Sequence, residues 1–384
     1  MQRVTLRQRE GWQQTVEAQG LLFHTHEDGR PYWKEGVAYQ FAPAQIETLE
    51  SATAALQALC LQAVEHVLAQ RRFREFGIPD FMIPVIEASW EQDEVSLVGR
   101  FDLAYEGQGP PKLLEYNADT PTSLLEAAVV QWFWLQDLLP HRDQFNSLHE
   151  RLVAAWQRAK GFLPIAPVAF LHQDAEEDIQ TVAYLRDTAD KAGVTSLQMF
   201  IEDLGWDEAR SLFVDLDGHP ISAAFKLYPW EFMVKDAFGQ HLAQLPRPCT
   251  FLEPPWKMLL SNKAILALLW ELNPGHENLL PAYLDGPREL AGSGYAQKPL
   301  LGREGANVSL HRPGQPTLSA PLQPAYGAEG YVFQGLATIP CLDGHYPVLG
   351  SWVVDGEPAG MGIRESEEPI TGNSSAFVPH FILS

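Results

Sequence analysis

The clearest pattern of hydrophobic and polar positions is an alternation that runs through residues 97–117. In its first part apolar residues alternate with Arg100 and Asp102, and in its second part with Glu115 and Asn117. A turn-rich segment, residues 106–111, lies between the two parts. Alternation with a period of two is typical of strands, so the segment predicts an antiparallel hairpin with these four polar side chains on one face.

This polar face has two interpretations. The oxygens of Asp102, Glu115 and Asn117 are hard ligands beside the Arg100 guanidinium, which is what a Mg²⁺–polyphosphate site needs. The other interpretation is a solvated outer face on which the acids pair with Arg100. Polar outer faces are the norm for antiparallel sheets, so the hairpin taken alone favours the solvated face.

The rest of the chain mixes helical and strand patterns. Helical spacing predicts a long helix over residues 44–76 and a mostly buried helix over 123–134. A strand over 164–171, a helix over 176–192 and a strand over 196–201 are typical of a parallel α/β module. Residues 244–256 are proline-rich and indicate a linker or a domain seam. The remaining predictions are a helix over 262–272 and strands at 211–215, 295–301, 330–338, 347–354 and 358–364.

Composition narrows the classes of function. The 384 residues are 46% hydrophobic and 20% charged, enough for a sizeable core and for two or three domains or one large enzyme. A formal net charge of -22 would repel a phosphate backbone, so nucleic acid is not an expected partner. The three cysteines lie far apart, which fits a reducing cytoplasm. We find no signal-peptide pattern and no run apolar enough to span a bilayer, so no membrane partner is expected.

Several weaker candidates for chemistry lie outside the hairpin. Lys298 precedes a loop with two glycines, which suits a phosphate cradle but equally a plain β-turn. Lys263 begins a predicted helix, where a lysine is usually solvated and an anionic ligand would remove an unfavourable dipole interaction. The segment 331–336 suits the edge of a flat aromatic ligand, although a core strand is the simpler interpretation.

Two further candidates are charged. Arg364 ends a predicted strand and is either a phosphate contact or a surface salt bridge. Glu176 and Glu177 begin a predicted helix, where acids complement the helix dipole; the alternative is an acidic pocket for an amine.

Together these segments resemble the glutathionylspermidine synthase family, specifically its ATP-grasp synthetase domain and related stand-alone acid–amine ligases. The resemblance runs from about residue 10 to the C-terminus in the order of the family's motifs. The segments that carry it are Gly99-Arg-Phe-Asp102, Glu115-Tyr-Asn-Ala-Asp-Thr120, Asn262-Lys-Ala-Ile265, Gly294-Tyr-Ala-Gln-Lys-Pro299 and Gly302-Arg-Glu-Gly-Ala-Asn307.

The resemblance implies a role for each residue. The metal ligands would be Asp102, Glu115 and Asn117. Arg100 and Arg364 would be catalytic, with Arg100 stabilising the phosphoryl group in flight. ATP would be held by Arg100, Lys263, Lys298, Gly302, Gly305, Asn307, Gln334, Gly335, Leu336 and Ala337. The substrates would meet Thr120, Thr122, Glu176, Glu177 and Arg303, with the two glutamates receiving the amine.

The resemblance also implies a fold and a domain organisation. The fold would be α/β (α+β), a glutathione-synthetase-like ATP-grasp with a parallel α/β pre-ATP-grasp module. Residues 1–150 would carry the metal-binding hairpin and pack onto the ATP-grasp core, residues 151–245 would form the substrate module, and residues 246–384 would be the ATP-grasp region. A mobile lid containing the glycine loop would lie at about residues 275–320.

The expected reaction is ATP-dependent ligation of a carboxylate to an amine, with ATP and Mg²⁺, expected as two ions, as cofactors. ATP would convert the carboxylate into an acyl phosphate, which the amine then attacks. Glutathione or a peptide is a candidate acid and a polyamine a candidate amine. Rival hypotheses are a non-ligating nucleotide-binding regulator, an ATP-dependent phosphotransferase and a structural α/β protein.

Two departures from the family pattern matter. Bifunctional members carry an N-terminal amidase domain. We expect neither that domain nor a Cys/His pair that would replace it here, so amide hydrolysis is not expected. Thr120 and Thr122 lie where those enzymes tend to have serines near glutathione, which leaves the acid substrate open.

Overall fold

A computed structural model describes residues 1–244 and 246–383, and these residues form eight α-helices and nineteen strands. The helices are α1 (Trp12–Ala18), α2 (Pro43–Gln70), α3 (Ile83–Glu91), α4 (Gln131–Leu138), α5 (Leu148–Ala159), α6 (Glu176–Lys191), α7 (Trp230–Met233) and α8 (Ala264–Leu272). The strands are β1 (Gln2–Thr5), β2 (Val37–Phe41), β3 (Val98–Ala104), β4 (Lys112–Asn117), β5 (Val168–His172), β6 (Ser196–Phe200), β7 (Gly205–Asp207), β8 (Leu212–Val214), β9 (Ala223–Lys226), β10 (Thr250–Leu252), β11 (Ala282–Tyr283), β12 (Tyr295–Pro299), β13 (Ser309–His311), β14 (Leu318–Ser319), β15 (Tyr331–Gly335), β16 (Tyr346–Val354), β17 (Glu357–Ser366), β18 (Ala376–Val378) and β19 (His380–Ile382).

Three larger sheets organise the molecule. An antiparallel sheet has the order β18-β17-β16-β3-β4, and a parallel sheet has the order β10-β9-β5-β6. A second antiparallel sheet has the order β11-β15-β12-β13-β14. Smaller sheets are β1-β2-β19 and β7-β8. This combination of parallel and antiparallel sheets with helices agrees with the predicted α/β (α+β) class, and the predicted strand–helix–strand unit is β5-α6-β6.

The predicted hairpin forms and lies inside the molecule. Strands β3 and β4 pair antiparallel, and β16 pairs with β3 on its other side. All seven residues of β3 are buried. The interpretation of a solvated outer face is therefore wrong, because the polar side chains of β3 are covered on that face as well.

The predicted helices form with two local differences. Helix α2 ends earlier than predicted because Arg71 takes a left-handed conformation (φ 53°), and a short 3-10 turn, Phe73–Phe76, follows. The segment before α4 is helical but contains a π-helical turn, Glu126–Val130. A π turn has no strong sequence signal, and such turns are often found at functional sites.

Two expectations about segments are corrected. Residues 244–256 are not a linker, because β10 pairs in parallel with β9 and the turn Pro255–Met258 is buried. The alternative, a domain seam, stays a prediction, and Leu245 lies outside the described residues. One helix, α2, is long and apolar enough to cross a membrane by length and composition, contrary to the sequence expectation. Ten of its side chains are buried in the protein, and core helices of soluble proteins pass the same criterion.

Candidate active site

The polar side chains of the hairpin lie side by side in its register. Arg100 is opposite Asn117, and Asp102 is opposite Glu115. The Asn117 amide nitrogen lies 3.3 Å from Asp102 Oδ2 and 3.5 Å from Glu115 Oε1. The structure therefore brings together the four residues that alternation placed on one face.

Arg100 and Asp102 form a buried ion pair. Arg100 is 6% exposed and Asp102 9% exposed. The guanidinium donates from Nε to Asp102 Oδ1 (2.7 Å), from Nη2 to Oδ2 (3.1 Å) and from Nη1 to the Thr122 carbonyl oxygen (2.7 Å). Burial lowers the pKa of Arg100, but the Asp102 charge outweighs it and holds the pKa above its ordinary value.

Strand β16 closes the space beneath Arg100. The guanidinium carbon lies 5.6 Å from the centre of the Trp352 ring, within the range of a cation–π contact. Gly350 is opposite Asp102, and a Cβ there would lie 2.7 Å from Arg100 Cδ. Glycine at position 350 is thus what lets the arginine lie flat against the sheet.

Glu115 pairs with Lys263 from the N-terminal end of α8. The Lys263 ammonium lies 2.9 Å from Glu115 Oε2 and donates to the Gly302 carbonyl oxygen at 2.5 Å. Burial would raise the pKa of Glu115, but the charges of Lys263 and Lys298 outweigh it and lower the pKa to about 2. Lys263 is 9% exposed, so it is not the solvated lysine of the simpler interpretation.

A bulge in the hairpin creates the contact for the second lysine. The register shifts after Asp102, so Leu103 pairs with Leu113 and Leu114 drops out of the ladder. The Leu114 carbonyl oxygen accepts a hydrogen bond from Lys298 Nζ at 2.8 Å. Burial and the neighbouring Lys263 charge lower the pKa of Lys298 to about 8, while Glu115 opposes them.

The predicted adenine-edge segment adjoins Lys298. Gln334 accepts from Lys298 Nζ at 2.8 Å and donates to the Leu113 carbonyl oxygen at 2.9 Å. The Gly335 amide donates to the Pro281 carbonyl oxygen at 2.7 Å. Leu336 and Ala337 follow directly after β15 and are half-buried. The segment is a core strand that also lies beside Lys298, and its contact with an adenine ring stays a prediction.

The glycine loop closes over the same region. Gly305 has φ 69°, and a Cβ there would lie 2.4 Å from the Thr371 carbonyl oxygen. Asn307 donates to the carbonyl oxygens of Gln323 and Tyr326, both at 2.9 Å, and accepts from the Gln323 amide at 2.6 Å. The Asn307 side chain therefore ties the loop to a later segment of the chain.

Arg303 of this loop reaches two other parts of the chain. It donates from Nε and Nη2 to Glu231 Oε1 (3.0 and 2.7 Å) and from Nη1 to Thr120 Oγ1 (2.6 Å). Thr120 and Arg303, both predicted to meet a substrate, are thus neighbours, whereas Thr122 contributes its carbonyl oxygen to Arg100.

The two glutamates predicted to bind the amine differ in exposure. Glu176 is exposed at the start of α6, whereas Glu177 is half-buried and acts electrostatically on Glu126, Asp178 and Glu304. Burial and the Glu177 charge raise the pKa of Asp178 to about 6 and that of Glu126 to about 7, although the Tyr32 hydroxyl bond opposes the second shift.

Arg364 lies on β17, near Arg100. Its Nη2 donates to the Gly372 carbonyl oxygen at 2.6 Å, and its Nε is buried without a hydrogen-bond partner among the described residues. Arg364 lines a small cavity together with Arg100, Asp102 and Ser123. A guanidinium nitrogen buried without a partner leaves one donor for an anionic group.

The donor set fits Mg²⁺ on chemical grounds. Two carboxylates in register, with an amide beside them, supply the hard oxygens that this ion prefers. Across the described residues no cluster of three or more His, Cys, Asp or Glu side chains is placed to hold a metal ion, so a site here depends on the Asn117 amide. Asp102 pairs with Arg100 and Glu115 pairs with Lys263. A bound metal ion would share the negative charge of these carboxylates with the two cationic side chains.

Comparison with known proteins identifies the family. Residues 3–383 match the family described as glutathionylspermidine synthase preATP-grasp. The chain belongs to this family. Its relatives carry the names of ligases and synthetases, and an ATP-dependent carboxylate–amine ligase is consistent with them.

The relatives of this glutathionylspermidine synthase family member differ in length. A protein of Haemophilus influenzae that carries the name of an acid–amine ligase is 41% identical over 367 residues, 93% of this chain and 92% of that protein. The bifunctional glutathionylspermidine synthetase/amidase of Escherichia coli is 26% identical over 373 residues, 90% of this chain but only 59% of that protein. The solved structure of a glutathione synthetase-like effector from Globodera pallida has a TM-score of 0.54 at 11% identity, over 90% of this chain and 89% of that one, which shows a shared fold.

Sequence reasoning missed several residues of the site. Glu231, the partner of Arg303, and Lys226, the partner of Asp119, are far from their partners in sequence and carry no motif. Asp119 and Glu304 lie inside the motifs that carry the family resemblance, so their motif positions were a usable signal. Glu126 lies in a buried helical segment where an acid is unusual, and that position was also a usable signal.

Proposed function

We propose that this chain is an ATP-dependent acid–amine ligase that forms an amide through an acyl phosphate and does not hydrolyse it. The observation that supports this most directly is the convergence of Arg100, Asp102, Glu115, Lys263 and Lys298 from three segments of the chain. Two carboxylates and three buried cations suit a nucleotide triphosphate with Mg²⁺.

The proposed roles divide along these contacts. Asp102, Glu115 and Asn117 hold Mg²⁺, which when bound neutralises phosphate charge. Lys263 and Lys298 hold the ATP phosphates, and the segment 334–337 borders the adenine. Arg100 and Arg364 stabilise the transferring phosphoryl group, since both line the cavity beside Asp102. Gly302, Gly305 and Asn307 shape the loop that covers the phosphates.

The substrates are proposed by class. A small carboxylate, for which glutathione or a peptide is the first candidate, lies near Thr120, Thr122 and Arg303. An amine, for which a polyamine is the first candidate, lies near Glu177, with Glu176 at the entrance. The acids that raise one another's pKa around Glu177 give this region a negative field, which favours a cationic ligand.

We also propose the domain organisation predicted from sequence. The antiparallel sheet combines β3 and β4 with β16, β17 and β18, which supports packing of residues 1–150 onto the ATP-grasp region 246–384. The parallel sheet supports a substrate module at 151–245, with β10 completing it from the next region. Residues 275–320 are the proposed lid, and the cytoplasm is the proposed location because the three cysteines are dispersed.

The absence of hydrolysis is supported by the cysteines. Burial raises the pKa of the Cys60 and Cys249 thiols, which keeps them protonated and unreactive. Cys341 is exposed and lies immediately before the turn that leads into β16. A nucleophilic thiolate for amide hydrolysis would need a base or a cation that lowers the thiol pKa.

The experiment is ADP release with Mg·ATP across a grid of carboxylates and amines, with amide product measured by mass spectrometry. The proposal expects release that requires one acid and one amine, with equal amounts of ADP, phosphate and amide. ADP release with a phosphorylated product and no amide would make the chain a phosphotransferase. Nucleotide binding without ADP release in any combination would favour a regulator.

A further inference from the structure

Arg303 is held by two residues that are distant from it in sequence. Glu231 Oε1 accepts two of its hydrogen bonds and Thr120 Oγ1 accepts a third. Glu231 is 9% exposed, so this ion pair is shielded from solvent on the side of the carboxylate. A shielded pair is weakened little by salt and fixes the guanidinium plane through its paired donors.

Glu231 is itself fixed relative to Thr120. The backbone amide of Trp230 donates to Asp119 Oδ2 at 2.9 Å, and Lys226 pairs with the other oxygen of Asp119. The Lys226 ammonium also lies 4.6 Å from the centre of the Trp230 ring. Asp119 and Lys226 are fully buried. The residues immediately before Thr120 and Glu231 are therefore joined, so the two acceptors of Arg303 keep a constant spacing.

The contacts leave Arg303 with donors to spare. A guanidinium has five N–H donors, and the three described hydrogen bonds use one on Nε, one on Nη1 and one on Nη2. One N–H remains on each terminal nitrogen. Donors on the two terminal nitrogens of one guanidinium can bind a carboxylate bidentately.

We propose that Glu231 is a positioning residue for the acid substrate: it holds Arg303 against Thr120 so that the two remaining N–H groups bind a substrate carboxylate. This inference rests on the proposed ligase function. Arg303 belongs to the glycine loop, so the same contact keeps that loop closed beside Lys263, which donates to Gly302. Without Glu231 the arginine leaves Thr120 and the loop opens.

The first test needs no substrate, because Arg303 is itself a trypsin site. Glu231→Gln should accelerate cleavage after Arg303 about tenfold, since one charge-assisted hydrogen-bonded pair is lost. The matched control is Glu271→Gln, which removes the carboxylate from another arginine pair, Arg72–Glu271, and should leave cleavage at Arg303 unchanged. Glu231→Asp, which keeps the charge, should give a smaller increase. Equal cleavage in wild type and Glu231→Gln would overturn the proposal.

The second test separates positioning from a general structural role. In the ligation assay Glu231→Gln should raise the KM of the acid substrate about tenfold and change the KM of ATP less than about twofold. Equal rises in both constants, together with a lower unfolding temperature than Glu271→Gln, would overturn it. If no acid and amine support ligation, the proposed function fails, and the cleavage experiment still decides whether Glu231 holds Arg303.

Discussion

Asp102 has two functions at the residue scale, as the partner of Arg100 and as a proposed metal ligand. Asp102→Asn keeps the shape of the side chain and removes its charge, so we expect Mg²⁺-dependent ADP release to fall on the order of 100-fold. Stability should fall by about 1–3 kcal/mol, because the bond that is lost joins charged groups, and the fold should remain. Asp28→Asn, which removes the exposed partner of Arg30, is the control and should change neither quantity. Normal ADP release in Asp102→Asn would refute the metal assignment.

Glu126 makes stability depend on pH. Burial, with Glu177 nearby, raises its pKa to about 7 from 4.5, and Tyr32 (2.5 Å) and Arg364 act in the opposite direction. The folded state therefore binds the proton more tightly, and its stabilising contribution is complete below pH 4.5 and lost as pH rises through 7. Between pH 4.5 and pH 7 the free energy of unfolding of the wild type should fall by about 2–4 kcal/mol relative to that of Glu126→Gln.

The check is urea unfolding of both proteins at several pH values between 4 and 8. Glu271→Gln is the control. The hydrogen bond from Arg72 lowers the pKa of Glu271, so the stability of wild type relative to this variant should rise with pH instead of falling. A constant difference between wild type and Glu126→Gln over this range would contradict the prediction.

At the scale of elements, the glycine loop makes a close contact with the segment around Thr371. Gly305 has a positive φ and lies against the Thr371 carbonyl, whereas Gly314 (φ 72°) has open space around its Cα. Gly314→Ala should cost about 1–2 kcal/mol for its left-handed conformation. Gly305→Ala should cost about 1–3 kcal/mol more from overlap and should also weaken Mg·ATP binding. Titration calorimetry and urea unfolding measure both effects; equal effects of the two substitutions would mean that the Thr371 contact does not shape the loop.

Elements differ in how far the sequence predicts them. The hairpin could be predicted because alternation is a local signal. The same alternation predicted that its four polar side chains share one face. The burial of Arg100 could not, since it depends on β16, more than two hundred residues later, and on Gly350 and Trp352 within it. Lys298 was identified from its loop, but its contact depends on a bulge at Leu114 that alternation does not reveal.

On the scale of the whole molecule, the buried pair of Asp119 and Lys226 joins two sheets. Asp119 follows β4 of the antiparallel sheet and Lys226 ends β9 of the parallel sheet. No local pattern predicts this contact, because Lys226 is a single polar position in an apolar segment and Asp119 lies 107 residues earlier in a polar one. The relative placement of the two sheets was therefore the part of the fold least accessible to sequence reasoning.

This pair provides a test of how the sheets are held together. Lys226→Met leaves Asp119 buried with only the Trp230 amide as a described partner, and removing one member of a buried pair costs about 3–5 kcal/mol. Adding Asp119→Asn removes the isolated charge and keeps an acceptor for that amide, so the double variant should recover most of the loss. Urea unfolding followed by tryptophan fluorescence measures the cycle. If the double variant is as unstable as Lys226→Met, then the charge of Asp119 is not what makes the single change costly, and the sheets are joined mainly by their apolar contacts.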